Sequence, residues 1–299
     1  MSSNKILFII NKYSGTGFRD SVEGRIIDAC AKLNLEATIE YTQHKGHATE
    51  LARQAVQEGI PRVFAMGGDG TVNEVAQGLV HSQTALGILP KGSGNGLARH
   101  LRIPLRIHNA LRLLDRHQVI AMDTFSINDR LSVNVSGIGF DAHVAGKFGK
   151  DGKRGLMGYG KLVMQEFLKF REFPMKINVD GKPMNKKVFI LALANSSQFG
   201  NNAKVAPHAS VCDQLIDICL IKKVPITRAV DFIRRMFTGY IYRSRFVNII
   251  HGRNIHLKFT KPMPFHIDGE SMEPETEFNI KVEPGSLKMI VPMNPRLKF

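Results

Sequence analysis

Apolar runs and amphipathic stretches alternate along the first third of the chain. The runs are short and bounded by turn residues, as in buried strands, whereas the stretches between them repeat apolar residues at helical spacing. This alternation predicts a parallel sheet that is covered by helices on both faces. The predicted strands are Lys5–Ile10, Ala37–Thr42, Val63–Met66 and Leu86–Leu89, and the predicted helices span residues 22–33, 51–56, 72–80 and 107–114.

From about residue 123 the pattern changes to strand-like segments that are separated by turns. Only Thr227–Tyr242, which follows Pro225, has a helical pattern in this part. We therefore predict an α/β lobe (1–122), a mostly antiparallel β lobe (123–285) and a last segment (286–299) that returns to the first lobe, with a ligand cleft between the lobes. The predicted strands of the second lobe are Phe125–Asn128, Leu131–Ser136, Met175–Val179, Val188–Ala194, Ile216–Ile221, Ile255–Phe259 and Phe278–Val282.

Composition narrows the class of protein. The 299 residues are 43% hydrophobic, which is enough for one large domain or two lobes with cores of their own. The net charge of +15 favours anionic partners. Three cysteines imply no disulfide framework, so a reducing cytoplasm is expected. Since no apolar run is long enough to span a bilayer, we expect a soluble or peripheral protein.

The most informative stretch reads Gly-Gly-Asp-Gly-Thr-Val-Asn-Glu over residues 67–74, directly after the predicted strand Val63–Met66. Three glycines in four positions permit positive φ angles and the close approach of a ligand. The first amides of the following helix favour an anion, with Thr71 and Asn73 as candidate caps. A tight turn alone needs one glycine and leaves Asp69 unexplained, whereas an acid among glycines suggests Mg²⁺ or a ribose beside a phosphate.

Two further loops follow predicted strands in the same way. Residues 90–96 read Pro-Lys-Gly-Ser-Gly-Asn-Gly, and residues 14–17 read Ser-Gly-Thr-Gly. Neighbouring strand ends of a doubly wound sheet share one crevice, so these loops and Thr42 can contact one ligand. Three donor-rich loops in register predict a nucleotide site.

Together these motifs resemble the diacylglycerol kinase catalytic domain, and more narrowly the bacterial soluble lipid kinases, which are related to sphingosine kinases. The resemblance covers nearly the whole chain and implies an ATP-dependent kinase that phosphorylates a lipid hydroxyl. The matching segments are Asn11…Ser14-Gly15, Gly67–Glu74 with Gly92–Asn95, Gly137–Asp141, Ala206–Asp213 and Ile267–Glu270.

The resemblance assigns nucleotide binding to the first lobe, with Asp69 at the magnesium–phosphate end of ATP. The residues implied to contact ATP are Asn11, Ser14, Gly15, Thr42, Gly67, Gly68, Asp69, Gly70, Thr71, Val72, Asn73, Glu74, Ser93, Gly94 and Asn95.

The resemblance assigns the lipid to the second lobe. It implies Glu270 as the base that takes the hydroxyl proton, Asp268 beside it near the metal, and Asp141 in substrate binding. It also implies a structural Mg²⁺ site. That site would consist of the Asp213 side chain and the carbonyls of Ser210 and Leu215, which are hard oxygen ligands.

Several alternatives stay open. Diacylglycerol is the expected acceptor, but Gly96-Leu97 after Asn95 is nearer the sphingosine kinase pattern, so a sphingoid base is the second candidate. An NAD kinase shares the glycine turn and a β-rich second lobe, although it does not account for residues 92–95 or the pair Asp268 and Glu270. A non-catalytic nucleotide or lipid sensor would keep the loops and need no base. Gln214 departs from the family, which commonly has glycine after the metal-loop aspartate.

Two basic clusters suggest a membrane partner. Such charges attract anionic headgroups at roughly 1 kcal/mol each, so we expect peripheral contact of a cytoplasmic protein with the inner membrane surface. Nucleic acid is not expected, because the chain has no tryptophan, only five tyrosines and no recognisable binding module. A homodimer is left open. The clusters are Lys147, Lys150, Lys153 and Arg154 in one loop, and Arg228, Arg234, Arg235, Arg243 and Arg245 on or just beyond the predicted helix.

Overall fold

The computed structural model describes residues 4–15, 21–147 and 156–293, which form two compact units. Unit 1 holds the described residues of Met1–Thr124, Val211–Asp213 and Glu283–Phe299, and unit 2 holds those of Phe125–Ser210 and Gln214–Val282. Some predicted features lie outside the described residues, namely Thr16 and Gly17 of the first loop, Lys150, Lys153 and Arg154 of the basic loop, and positions 294–299 of the last segment.

Unit 1 begins with strands and helices in alternation, as the hydrophobic pattern predicts. The strands are β1 (Lys5–Ile10), β2 (Glu36–Tyr41), β3 (Arg62–Gly67), β4 (Ala85–Pro90) and the start of β5 (His117–Ile127). The helices are α1 (Ser21–Ala31), α2 (His47–Gln57), α3 (Asp69–Leu79), α4 (Gly96–His100) and α5 (Ile107–Ala110), with a 3-10 turn over Leu111–Leu114.

The strands of unit 1 form a parallel sheet in the order β2-β1-β3-β4. β1, β3 and β4 are apolar and almost entirely buried, whereas β2 alternates between exposed and half-buried residues, as expected for an edge strand. Phe8 and Phe64 stack with ring centroids 5.5 Å apart. Gly87 has no side chain because a Cβ there would overlap the Phe64 ring.

Unit 2 is mostly antiparallel β structure. Its strands are β6 (Arg130–Ser132), β7 (Val135–Gly139), β8 (Phe173–Val179), β9 (Lys182–Val188), β10 (Ile190–Ala194), β11 (Ile216–Ile221), β12 (Val247–Gly252), β13 (Asn254–Ile267) and β14 (Glu270–Pro292). The end of β14, from Glu283 onward, belongs to unit 1, where it pairs parallel to β4. The helices of unit 2 are α6 (Phe140–Lys147), α7 (Leu156–Lys169) and α8 (Ile226–Thr238).

The main sheet of unit 2 has the order β12-β11-β10-β7-β13-β14, with β8 between β13 and β9. Its neighbouring strands are antiparallel. The core lies against this sheet and contains Phe265 and Phe278, whose rings meet edge to face at 5.0 Å. Parallel strands in unit 1 and antiparallel strands in unit 2 confirm the predicted fold class.

Several predicted elements of unit 2 are wrong in extent or number. The predicted strand Leu131–Ser136 is two strands, β6 and β7, because a turn separates them at Val133-Asn134. The helix predicted to end at Tyr242 ends at Thr238, because Gly239 follows with φ +81 and acts as a C-cap. The expectation of a single helix missed α6 and α7, and the strands β9 and β12 were not predicted.

Candidate active site

Three loops of unit 1 are joined at the carboxyl ends of its parallel strands. β3 lies between β1 and β4 in the sheet. The backbone N–H groups of Lys91 and Gly92 donate to the Gly67 carbonyl at 2.8 and 3.1 Å, and the Asn11 N–H donates to the Met66 carbonyl at 2.9 Å. The loops that follow β1 and β4 are therefore both attached to the end of β3.

Glycine is required where these loops touch one another. A Cβ on Gly92 would lie 2.5 Å from the Gly68 Cα, and a Cβ on Gly15 would overlap the Lys91 carbonyl. Gly15 also has φ +66, which disfavours any other residue. Gly15 and Gly92 therefore serve the packing of backbone against backbone.

Gly70 differs from the other loop glycines. It is exposed, it lies inside α3 without a positive φ, and a Cβ on it would meet no atom within 4 Å. Glycine in a helix costs up to about 1 kcal/mol relative to alanine, and no contact within the fold offsets that cost here. The first backbone hydrogen bond of α3 runs from the Val72 N–H to the Gly68 carbonyl at 3.1 Å, and the Gly70 N–H lies before it in the chain. The space beside Gly70 at the start of α3 is therefore open.

Asp69 connects two of the three loops. Its Oδ1 accepts a hydrogen bond of 2.7 Å from the Gly96 N–H, so the first residue of α3 is tied to the first residue of α4. The carboxylate thus lies at two helix starts, where negative charge is favoured. The half-buried side chain of Asp69 is held in place by the protein itself.

Thr71 and Asn73 do not cap α3, because the helix starts earlier, with Gly68 at the N-cap position. Both side chains are buried: the Thr71 Oγ1 accepts from the Asn11 Nδ2 at 3.2 Å, and the Asn73 Oδ1 accepts from the Gln77 Nε2 at 2.6 Å. Among the predicted ATP contacts on α3, Val72 is also buried. The half-buried Glu74 accepts from the Thr49 hydroxyl through its carbonyl at 2.8 Å.

Lys91 is a site residue that the sequence analysis missed. Its Nζ donates to the carbonyls of Lys12, at 3.3 Å, and Ser14, so it joins the loop after β4 to the loop after β1. Burial lowers the pKa of its ammonium group below the ordinary lysine value. The signal was present in the sequence, since Lys91 is the cation that opens the second glycine loop.

The second loop is shaped by Asn95, which has φ +50 and a buried side chain. Its Oδ1 accepts from the Gly92 N–H at 2.9 Å, and its Nδ2 donates to the Gly92 carbonyl at 2.7 Å. The Arg99 Nε donates to the Gly94 carbonyl at 3.0 Å. Ser93 remains exposed at the tip of the loop.

The first loop and Thr42 lie at the same edge of the sheet. The Asn11 Oδ1 accepts from the Tyr13 N–H at 2.9 Å and closes the turn, while the Lys12 Nζ lies 3.7 Å above the Tyr41 ring. The half-buried Thr42 follows β2, and its N–H donates to the Ile10 carbonyl at 3.0 Å. The structure therefore brings the predicted nucleotide residues of all four strand ends to one edge of unit 1.

In unit 2, the two predicted catalytic carboxylates have different surroundings. Asp268 and Gly269, with φ +49 and +92, form the two-residue turn of the hairpin between β13 and β14. The buried Asp268 carboxylate accepts from the Ser132 hydroxyl at 2.6 Å and from the backbone N–H groups of Val133 and Asn134 at 2.9 and 3.1 Å. Glu270, the first residue of β14, is exposed.

His266 connects this hairpin to Asp141. The His266 Nδ1 accepts from the Gly269 N–H at 3.1 Å, so the ring proton lies on Nε2, which donates to the Asp141 Oδ2 at 3.1 Å. The other Asp141 oxygen, Oδ1, is buried and has no hydrogen-bond partner. Gly137 permits this contact, because a Cβ there would lie 2.7 Å from the His266 Nε2. No local motif marks His266 in the sequence, so it was missed.

The predicted metal residues Ser210, Asp213 and Leu215 lie in the turn before β11. Asp213 is exposed, and its carboxylate lies near Cys212: burial of that thiol and the charges of Asp123 and Asp213 raise the pKa of Cys212 to about 11. Gln214, which stands where the family commonly has glycine, has φ +65, so the backbone keeps the conformation that favours glycine. Its Oε1 accepts from the Arg253 Nη2 at 3.0 Å.

The donor groups at this edge of unit 1 suit a polyphosphate. Backbone amides at the start of α3, the loop of residues 91–95 and the Lys91 ammonium are the groups that bind phosphate in glycine-rich loops. The exposed Asp213 offers a carboxylate, which is a kind of ligand that Mg²⁺ prefers. Across the three described ranges, no group of three or more His, Cys, Asp and Glu side chains is arranged to hold a metal.

Two family models match the chain. The model described as diacylglycerol kinase catalytic domain matches residues 5–127. The model described as YegS C-terminal NAD kinase beta sandwich-like domain matches residues 134–291. The first match covers the strands that carry the glycine-rich loops, and the second covers Asp141, Asp268 and Glu270.

The chain is also similar to curated proteins and solved structures. A probable lipid kinase YegS-like protein of Chromohalobacter salexigens is 29% identical over 276 residues, covering 90% of this chain and 87% of the relative. One from Klebsiella pneumoniae is 26% identical over 293 residues, covering 96% and 95%. The fold resembles a crystal structure of a diacylglycerol kinase from Bacillus anthracis, with a TM-score of 0.75 at 22% identity over 99% of this chain and 98% of that one. A second structure from Bacillus anthracis has a TM-score of 0.82 at 24% identity, over 99% of this chain and 97% of that one.

Proposed function

Since the chain belongs to the diacylglycerol kinase catalytic-domain family in its YegS-like form, we propose that it transfers the γ-phosphate of ATP to a lipid hydroxyl. Diacylglycerol is the first candidate acceptor and a sphingoid base is the second. The observation that carries the proposal is the attachment of the loops after β1 and β4 to the end of β3, with Gly70 open to solvent beside them.

The loops of unit 1 hold the nucleotide in this proposal. The amides at the start of α3 and in the second loop, together with Lys91, neutralise phosphate charge. Asp69, fixed by the Gly96 N–H, helps to orient the magnesium–phosphate end. Bound ATP supplies the phosphoryl group and bound Mg²⁺ reduces its charge. Phosphoryl transfer depends mainly on such alignment and charge neutralisation, and this is what a rigid set of attached loops provides.

The carboxylates of unit 2 act on the acceptor. Glu270 is exposed and takes the proton of the lipid hydroxyl as the hydroxyl oxygen bonds to the γ-phosphorus and the bond from that phosphorus to the ADP oxygen breaks. Asp268 holds the hairpin turn through its three hydrogen bonds and so positions Glu270. Asp141, whose Oδ1 has no partner, accepts a hydrogen bond from a hydroxyl or amino group of the substrate. We keep Asp213, with the carbonyls of Ser210 and Leu215, as the proposed structural Mg²⁺ site.

The acceptor is a membrane lipid, so the protein must reach a bilayer surface. No helix in the described ranges of the chain is long and apolar enough to cross one. The net charge of +15 supports peripheral contact with an anionic surface, which would place the protein in the cytoplasm at the inner membrane. The proposal also includes a homodimer, which sedimentation can check. It includes no nucleic-acid partner, which a binding measurement can check.

The proposal is tested with labelled ATP and three acceptors in parallel: diacylglycerol, sphinganine and NAD. We expect label in a lipid, and the acceptor that takes it decides between the two candidates. Label in NAD alone would identify an NAD kinase and refute the proposal. ATP binding without transfer to any acceptor would instead indicate a non-catalytic sensor.

A further inference from the structure

Helix α8 of unit 2 carries a stripe of exposed apolar side chains, Ile226, Val230, Ile233 and Phe237. Their exposed fractions are 59%, 80%, 50% and 48%. The spacing of four, three and four residues places all four on one side of the helix. No residue of α8 is fully buried, so the stripe is not part of a core.

The helix is nevertheless attached to unit 2 along a different side. Phe232 is partly buried against the cluster that contains Val205 and Ala206. The Met236 carbonyl accepts a hydrogen bond of 3.2 Å from the Lys204 N–H. Because these contacts hold α8 by its other side, the stripe faces solvent.

The segment around the stripe is strongly cationic. The single acid of residues 222–246, Asp231, is paired with Arg234 at 2.8 Å and Arg235 at 2.7 Å. The positive charge is therefore in excess, and a second copy of this segment would be repelled by it. The cations of the segment are Lys222, Lys223, Arg228, Arg234, Arg235, Arg243 and Arg245.

Two tyrosines extend this surface, and α7 carries a further pair of exposed apolar residues. Tyr240 and Tyr242, 50% and 37% exposed, follow α8, and the Arg243 guanidinium lies 5.2 and 5.6 Å from their ring centres. Tyrosines of this kind are enriched at membrane interfaces, where one end is apolar and the other polar. On α7, Met164 and Leu168 are 57% and 61% exposed at a spacing of four residues.

We propose that α8 lies in the surface of an anionic bilayer, with the stripe in the boundary between headgroups and acyl chains and the arginines on the lipid phosphates. An amphipathic helix with a cationic polar side binds membranes in this way. The inference rests on the proposed lipid-kinase function, since a lipid acceptor is what makes such a surface useful. The proposed function already includes electrostatic attraction between the protein and an anionic membrane. The inference adds that the apolar side of α8 inserts into that membrane.

A single tryptophan tests the insertion directly. The chain contains no tryptophan, so Phe237→Trp introduces the only indole, and Ile27→Trp on α1, at a site that is 54% exposed, is the matched control. With vesicles of phosphatidylglycerol and phosphatidylcholine, we expect a blue shift for Phe237→Trp and none for Ile27→Trp. If vesicles left the emission spectrum of Phe237→Trp as unchanged as that of Ile27→Trp, the proposal would be overturned.

Removal of the stripe tests its contribution to binding. Glutamine keeps the helix propensity, so Val230→Gln/Ile233→Gln removes apolar surface with little effect on the helix. We expect its partition onto these vesicles to fall by about tenfold or more, and Ile27→Gln to bind like the wild type. Vesicle binding that is unchanged in the double variant would refute insertion by α8.

Sedimentation of the same variants without lipid tests the competing occupant, a second copy of the chain. A wild type that is dimeric and a double variant that is monomeric, with equal vesicle binding, would assign the stripe to self-association and overturn the proposal. None of these measurements needs ATP or turnover. A failure of the membrane surface is therefore distinguishable from a failure of the kinase assignment.

Discussion

The two acids of the Asp-Gly-Glu turn, Asp268 and Glu270, differ in their surroundings. The Asp268 carboxylate is buried and accepts three hydrogen bonds from residues 132–134, whereas Glu270 is exposed at the start of β14. In the proposed mechanism, Asp268 positions the turn through these hydrogen bonds and the exposed Glu270 acts on the substrate. The two substitutions should therefore differ in kind.

We predict that Asp268→Ala lowers the free energy of unfolding by about 2–4 kcal/mol, because the buried N–H groups of Val133 and Asn134 lose their acceptor. Glu270→Gln should change it by less than about 0.5 kcal/mol, as is usual at exposed positions. Urea denaturation of the purified variants measures both values. Equal destabilisation by the two substitutions would show that the division of tasks is wrong.

The glycines of the nucleotide loops also differ in role. Gly70→Ala should leave the free energy of unfolding unchanged or raise it by up to about 1 kcal/mol, because alanine favours the helix and has room there. Its ATP affinity should nevertheless fall by about tenfold, equivalent to about 1.4 kcal/mol, since a methyl group now covers the start of α3. Gly92→Ala should instead destabilise the fold, because its Cβ meets the Gly68 Cα. Calorimetric titration with ATP and thermal unfolding measure these effects, and normal ATP affinity in Gly70→Ala would exclude α3 as the phosphate site.

The residue types of the candidate site could be predicted from the sequence, but their contacts could not. The motif identifies Asp69 and Asp268, yet the partner of the first is Gly96 and the partners of the second lie more than 130 residues earlier. Such bonds depend on the register of distant strands. His266 is one of two histidines in β13, and only the folded hairpin shows its link to Asp141.

Among the helices, α6 and α7 are held together by an ionic contact that the sequence does not reveal. The buried Glu166 of α7 accepts from Lys147 at 2.9 Å and from His143 at 2.7 Å, both on α6. These hydrogen bonds lower the pKa of Glu166 to about 2 from an ordinary value of 4.5. A carboxyl with a lowered native pKa stabilises the fold above its unfolded pKa and loses that contribution as the pH falls.

We therefore predict that, between pH 5 and about 2, the wild type loses more unfolding free energy than Glu166→Gln, which has no carboxyl to protonate. Urea denaturation at each pH gives the comparison. Glu50→Gln, at an exposed glutamate of α2, is the control and should follow the wild type. Parallel curves for Glu166→Gln and the wild type would contradict this role.

Elements with strong patterns were predicted best. Lys5–Ile10 and Ile216–Ile221 match β1 and β11 at both ends, because each is a mostly apolar run that stops at a polar residue, Asn11 or Lys222. β9 was missed because most of its residues are polar and it pairs only with β8 among the described strands. α7 was missed because glycines interrupt its first turns, and because its one phenylalanine, Phe167, packs against Phe140 and Phe189, which are distant in sequence.

At the scale of the whole molecule, each unit supplies one half of the proposed chemistry. Unit 1 collects the donor-rich loops at one edge of a parallel sheet, and unit 2 carries the acids, the His266–Asp141 contact and the cationic, partly apolar surface of α8. The net charge of +15 and the proposed bilayer contact are properties of the chain as a whole. The loops of unit 1 and the acids and surface of unit 2 together predict that the protein phosphorylates a lipid.

The most direct test measures the initial rate of label transfer from ATP to diacylglycerol or sphinganine in anionic vesicles, for the wild type and Glu270→Gln. The exposed position of Glu270 keeps the variant folded, so a lost rate reports on chemistry. We predict a phosphorylated lipid with the wild type and a rate at least about 100-fold lower with Glu270→Gln, as expected for the loss of a general base. Equal rates for the two proteins, or no labelled lipid from a wild type that binds ATP, would contradict the account.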